Sequence, residues 1–410
     1  MQTFLEQAEF LSEQKNTHMT HIEDKVIYGG VDGTRQAINA LRELRDMLKG
    51  KHAGKVSMKW DGAPAIFAGT DPRDGQFFVA KKGIFNKNPK VYKTKADVDA
   101  DTSGDLNTKL NAALEELPAL GINGVIQGDF LFGPGDLSNE KIEGVSYVTF
   151  HPNTIVYAVP ANQASELKAA KIGIVWHTSY NGDSFETMRA SYGVNVGALK
   201  NSSKVWSQDA MMGNAMGATM SEADTKRVTE YISAAGGIFR KISSSTLRTL
   251  ESEPQLAQLI EQFNNTFVRK GTIIVDTRRH VVALQRWITT KYKGEIAKRS
   301  TDKGKKAQQE KLNKIMAFFD KKNTASLVQM FELQKNIIYA KLILINKLNE
   351  LSNIDTFVKT RKGYKVTGQE GYVAIDALGG DAVKLVDRME FSYNNFSADI
   401  LKGWDQPSRN

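Results

Sequence analysis

The sequence predicts an α+β fold, one β-rich domain interrupted by a large helical insertion. Three observations lead there. Between about residues 55 and 180, apolar and β-branched residues gather in short runs bounded by turn-forming residues. Between about 185 and 350, apolar residues recur at helical spacing instead. After 360 strand-like runs return, too few to form a core alone, so they must complete the first β-rich stretch. The expected divisions are 1–184 for the first part of the β-rich domain, 185–355 for the helical insertion and 356–410 for the closing strands.

In chain order, residues 1–28 read as a helix and a connecting segment. His18 and His21 sit one turn apart there, with no third ligand at metal spacing. Gly29-Gly30-Val31-Asp32-Gly33-Thr34 lacks the Lys-Ser/Thr of a phosphate-binding loop and reads as a turn and N-cap. The helix it opens carries Ile38, Leu41, Leu44, Met47 and Leu48 on one face. Strands are expected at 77–85, 124–132, 145–150, 154–159 and 172–178, with a helix at 108–114. Residues 222–232 and 327–338 are helical by pattern. The longest apolar run, 337–345, contains Lys341 and falls short of the roughly 18–20 residues of a membrane span, so it reads as a buried helix. Strands return at 364–367, 370–375 and 382–388.

A chain of 410 residues, 41% hydrophobic and 25% charged, can bury a large core without staples. The absence of cysteine excludes disulfides, thiolate metal sites and a cysteine nucleophile, and fits a cytoplasmic protein. The N-terminus has no basic region followed by an apolar core, so no signal peptide is expected. A net charge of +9 favours polyanionic partners, nucleotides or nucleic acid. Eleven Lys and Arg lie between 291 and 322, opposed only by Glu295, Asp302, Glu310 and Asp320. Such a run is either a solvated helix face or a surface for phosphate backbones.

The stretch with most chemical content is Lys59-Trp60-Asp61-Gly62, a lysine at a strand end followed by a tight turn. A lysine becomes a nucleophile when burial and cationic neighbours lower its pKa. Alone, the motif fits equally a surface lysine beside an Asp-Gly turn. Its companions, in order, are Lys81-Lys82, a strand carboxylate at Asp129 after Gly128, Glu370-Gly371-Tyr372-Val373, and a strand lysine at Lys384.

Together these resemble the motifs of the covalent nucleotidyltransferase superfamily, the ATP-dependent DNA ligases, RNA ligases and capping enzymes. The resemblance covers about 55–180 and 360–396 and leaves the helical insertion unmatched. It implies a ligase-type domain of antiparallel sheets with flanking helices. It also implies ATP and Mg²⁺ as cofactors, and a lysyl-AMP formed on Lys59. Asp61 and Gly62 would shape the turn, Lys81 or Lys82 would contact phosphate or ribose, and Asp129 and Glu370 would serve the metal and nucleotide. Lys384 would be the final motif lysine, and Tyr157, Trp176 or Phe150 would stack on adenine.

Three positions depart from the family pattern. Pro64 stands where many members have Arg, Asp129 where most have Glu, and only Lys384 remains of a frequent lysine pair, with Lys365 or Arg388 left to compensate. Too few residues follow Arg388 for the usual accessory domain, which leaves the helical insertion to grip the acceptor. The leading expectation is an RNA ligase-like enzyme acting on nucleic-acid ends. A nucleotidyltransferase with a different acceptor, and a non-catalytic nucleic-acid-binding protein on the same scaffold, stay open. The choice between ATP and GTP also stays open, because no residue is seen to read the base edge.

Overall fold

The computed structural model describes residues 19–50, 55–212, 220–375 and 382–405. His18 lies outside them. The first elements are α1 (Lys25–Tyr28) and α2 (Gly30–Leu48). A β-rich stretch follows, with β1 (Lys55–Lys59), β2 (Ala65–Thr70), β3 (Phe77–Ala80), α3 (Lys95–Asp101), α4 (Gly104–Glu116) and β4 (Val125–Phe132). It continues with β5 (Ser138–Ile142), β6 (Val145–Phe150), β7 (Ile155–Pro160), α5 (Ser165–Ala169), β8 (Ile172–Asn181), β9 (Arg189–Tyr192) and β10 (Val205–Asp209). Six helices come next, α6 (Glu222–Phe239), α7 (Ser244–Ser252), α8 (Pro254–Val268), α9 (Thr277–Ala297), α10 (Asp302–Phe318) and α11 (Thr324–Asn349). The last elements are β11 (Asp355–Thr360), β12 (Gly363–Val366), β13 (Gly371–Ile375), β14 (Ala382–Leu385), α12 (Arg388–Phe396) and β15 (Ile400–Leu401).

The strands form three sheets, and the α+β class holds. Sheet one runs β1-β13-β14, antiparallel throughout. Sheet two runs β10-β8-β4-β2-β3, with β9 also on β8. Sheet three runs β12-β11-β7-β6-β5, with β15 on β11. The late strands therefore split between two sheets: β13 pairs with β1 and carries β14 on its other edge, and β11 pairs with β7. Residues 205–212 stitch sheet two to sheet one. Ala210 N–H donates to the Trp176 carbonyl (3.0 Å), while Met58 and Met212 exchange bonds with Ala210 and Val56 (2.8 Å each).

One boundary differs from the expected ones. Strands β9 and β10 fall after residue 184 but belong to sheet two, so the helical run starts at Glu222. The helices pack against the sheets and do not form a core of their own. Val56, Met58, Tyr372, Val383 and Leu385, on one face of sheet one, share a single core with α2 and with the helices from α6 to α11. The sequence stripe of α2 is buried there as expected, and its Gly29-to-Thr34 start forms the first turn of the helix. A side chain on Gly33 would strike the Lys25 carbonyl at 2.4 Å, so the glycine lets α1 and α2 cross closely. The apolar run inside α11 buries one face, Ile337, Ala340, Lys341, Leu344 and Ile345, with Lys341 ion-paired to Glu23 at 2.8 Å. Among the described residues no helix is long and apolar enough to cross a membrane.

Candidate active site

Sheet one brings the two ends of the chain together around Lys59. Lys59 lies opposite Gly371, Ser57 opposite Val373, and Val373 opposite Lys384. Strand side chains alternate, so Ser57, Lys59, Val373 and Lys384 share the face turned away from the helical core. Glu370, just before β13, forms an ion pair with the Lys59 amine; Lys59 remains 32% exposed and the glutamate 9%. Burial pushes the Glu370 carboxyl up from its ordinary value; the Lys59 cation opposes this and Asp61 adds to it. Burial also holds the Lys384 amine below its usual value, helped by the nearby Lys59 charge.

The turn after Lys59 is pinned from two sides. The Asp61 carboxylate is buried and accepts hydrogen bonds from the Asn153 side chain (2.7 Å) and from Thr154 and Ile155 N–H (2.6 and 2.9 Å). Asp61 N–H donates to the Tyr157 hydroxyl at 2.6 Å. Desolvation raises the Asp61 carboxyl while these donors pull it back. Asp61 therefore ties the turn to sheet three. On the other side, Ala63 N–H donates to the Phe130 carbonyl (2.8 Å) and Phe130 N–H to that of Pro64 (3.0 Å). A side chain on Gly62 would meet Asp129 Cβ at 2.7 Å, so the glycine lets the turn lie directly on β4 and brings Asp129 to the site. Pro64 thus serves the backbone of the turn, where many covalent nucleotidyltransferases would have the charge of an Arg.

Asp129 has a partner that sequence reasoning missed. His177 Nε2 lies 3.5 Å from its carboxylate, and His177 Nδ1 is 2.7 Å from Thr178 Oγ1. A bulge between β4 and β8 leaves His177 without a cross-strand partner and sets it on Asp129's face of sheet two. Only its place in the Trp176-His177-Thr178 strand hinted at this, because the bulge follows from pairing and not from local pattern.

Several expected residues stand elsewhere. Trp176 is fully buried, on the opposite face of sheet two among Ile66, Ile126 and Phe130, with its Nε1–H on Ser207 at 2.8 Å. Tyr157 and Phe150 are likewise buried, stacked on each other at 5.3 Å, and Trp60 covers Tyr157 at 4.8 Å. None of the three expected adenine-stacking rings has a free face, because each fills the space between packed elements. Tyr157 is instead a strut for the Asp61 turn.

The basic residues need the same correction. Lys81 follows β3 on the helix-covered face, ion-paired with Asp101 at 3.2 Å and 5.7 Å from the centre of the Tyr92 ring. It points away from Asp129, because the register sets Ala80, not Lys81, on Asp129's face. Lys82 is exposed at the start of a single 3₁₀ turn. Arg388 cannot replace a missing motif lysine, since its guanidinium bonds Asp24 (2.8 Å) and Asn265 in the helical core. Lys365 is exposed on β12, 4.9 Å from the centre of the Tyr393 ring.

The residues brought together are thus Lys59, Asp61, Gly62, Asp129, Glu370 and Lys384, with His177 added. A model of a family of unknown function, DUF6267, matches residues 16–400. The chain belongs to the DUF6267 family. No curated protein and no solved structure matches it. In this DUF6267 member the matched region takes in every residue of the candidate site. Among its described residues, no group of three or more His, Asp or Glu stands close enough to hold a metal unaided. Asp129 and Glu370 are two hard oxygen donors of the kind that hold Mg²⁺ together with substrate phosphates and water.

Proposed function

We propose that this DUF6267 protein is an ATP-dependent nucleotidyltransferase of the polynucleotide-ligase type. One observation carries the reading. Lys59 at the end of β1 meets Glu370 at the start of β13, with Lys384 of β14 on the same face of that sheet, in the motif order of the covalent nucleotidyltransferases. In the proposed reaction the Lys59 amine attacks the α-phosphate of ATP. A phosphorus–nitrogen bond forms, pyrophosphate leaves, and AMP stays on the lysine. A 5′-phosphate end then takes the AMP, freeing Lys59, and a 3′-hydroxyl displaces AMP to join the ends.

The site's own residues support the first step. Lys59 must lose a proton before attack, and Glu370 touches its amine with a carboxyl whose proton affinity is raised by burial. Lys384 supplies positive charge toward the phosphates from the same face. Bound at Asp129 and Glu370, Mg²⁺ would offset triphosphate charge. Asp61 and Gly62 hold the turn and take no part in bond making.

A second reading, a nucleic-acid-binding protein on the same scaffold, draws on the burial of all three candidate adenine rings. Incubation with α-labelled ATP, and separately GTP, with Mg²⁺ decides between them on a denaturing gel. A labelled band that Lys59→Ala abolishes is the expected result. No band from folded wild-type protein would remove the enzymatic reading and leave the binding one. A band without end joining would point to another acceptor.

A further inference from the structure

Helices α9 and α10 form an antiparallel hairpin whose outer end stands clear of the body. The last buried residue of α9 is Tyr292 and the first of α10 is Leu312. Between them no side chain is buried, and the two arms are held together by the Gln308 amide on Glu295 (2.6 Å). Residues 298–311 carry six cations, Lys298, Arg299, Lys303, Lys305, Lys306 and Lys311, against Asp302 and Glu310. All six cations are exposed, and none forms an ion pair among the described residues. Lys303 and Lys305 lie in the first turn of α10, where the helix dipole disfavours cations, and Lys306 follows directly. These three lysines of α10 have no ion-pair partner among the described residues, and a bound polyanion would relieve their mutual repulsion.

We propose that this tip grips the phosphate backbone of a polynucleotide, a reading that rests on the nucleic-acid acceptor proposed above. The tip has no aromatic residue between 298 and 311, so it offers phosphate contacts and no base stacking. It has no large exposed apolar side chain either, which argues against insertion into an anionic membrane. The grip is therefore insensitive to sequence and strongly dependent on salt.

The test measures binding of a fluorescein-labelled nicked RNA duplex, and its DNA counterpart, across a KCl series. Wild type is compared with a Lys303→Gln/Lys305→Gln/Lys306→Gln triple variant and an independent Arg299→Gln/Lys311→Gln pair. The triple variant should lower the slope of log affinity against log salt by about 2–3, and the pair by about 1–2, if each lost cation frees one phosphate. Unchanged slope and affinity in both variants would overturn the proposal. So would a loss seen only with anionic lipid vesicles. Self-labelling of the wild type with ATP, run in parallel, reports on the nucleotidyltransferase reading separately. If labelling fails while the slopes fall as expected, the grip stands and the enzymatic reading goes.

Discussion

Asp61 ties the turn after Lys59 to the 153–155 segment from within the protein. Its carboxylate accepts three hydrogen bonds from the 153–155 segment. An amide in its place can keep its oxygen on the Thr154 and Ile155 N–H groups, but it turns its NH₂ toward the Asn153 amide and removes the charge that strengthens all three bonds. Asp61→Asn should therefore destabilise the fold by about 1–3 kcal/mol, seen as a lower urea midpoint. It should also slow labelling of Lys59, because the turn that aims the lysine loosens. An unchanged midpoint would mean that the three bonds carry no net stability. The resemblance gave Asp61 the shaping of this turn. The partners through which it does so were not legible, since Asn153 and Tyr157 lie more than ninety positions away.

At the scale of elements, legibility followed the range of the pattern. The apolar stripe of α2, the strand nature of β4 and β8 and the helical character of α11 are written in neighbouring residues, and all form as read. Which face a residue takes depends on strand pairing, and there the sequence was silent. Lys81 and Trp176 were grouped with Asp129 by order along the chain, yet register turns them to the far side of the same sheet. The helical layer has a titration of its own. His280 of α9 is packed among Phe263, Phe267 and Phe331, with Nε2–H donating to Asn264 at 2.9 Å. Desolvation lowers its pKa from 6.5 to about 4. The unfolded chain therefore binds a proton in that window before the folded one does, so stability is complete above the upper value and falls as pH drops toward the lower one. The loss amounts to about 3 kcal/mol. In urea titrations over this range, His280→Gln should start less stable than wild type and lose its deficit as pH falls. Parallel curves would rule the histidine out as the source.

Across the whole molecule, the candidate site depends on strands that also close the core. A chain stopped at Glu350 keeps Lys59 but lacks β13 and β14, and with them Glu370 and Lys384. It should give no labelled band with ATP, and its β1 should be left with an unpaired edge prone to aggregation. A labelled truncation product would show that Lys59 reacts without its sheet partners. The ion pair between Lys59 and Glu370 spans 311 positions, and this separation has a consequence in time. During synthesis, Lys59 leaves the ribosome long before the carboxylate that would take its proton. The helices made in between must find α2 and shelter the apolar face of β1 while it waits for its neighbours. On the proposed reading, Lys59 would be inert in the nascent chain and would become reactive only when β13 and β14 dock, so chain growth itself would time the start of the chemistry.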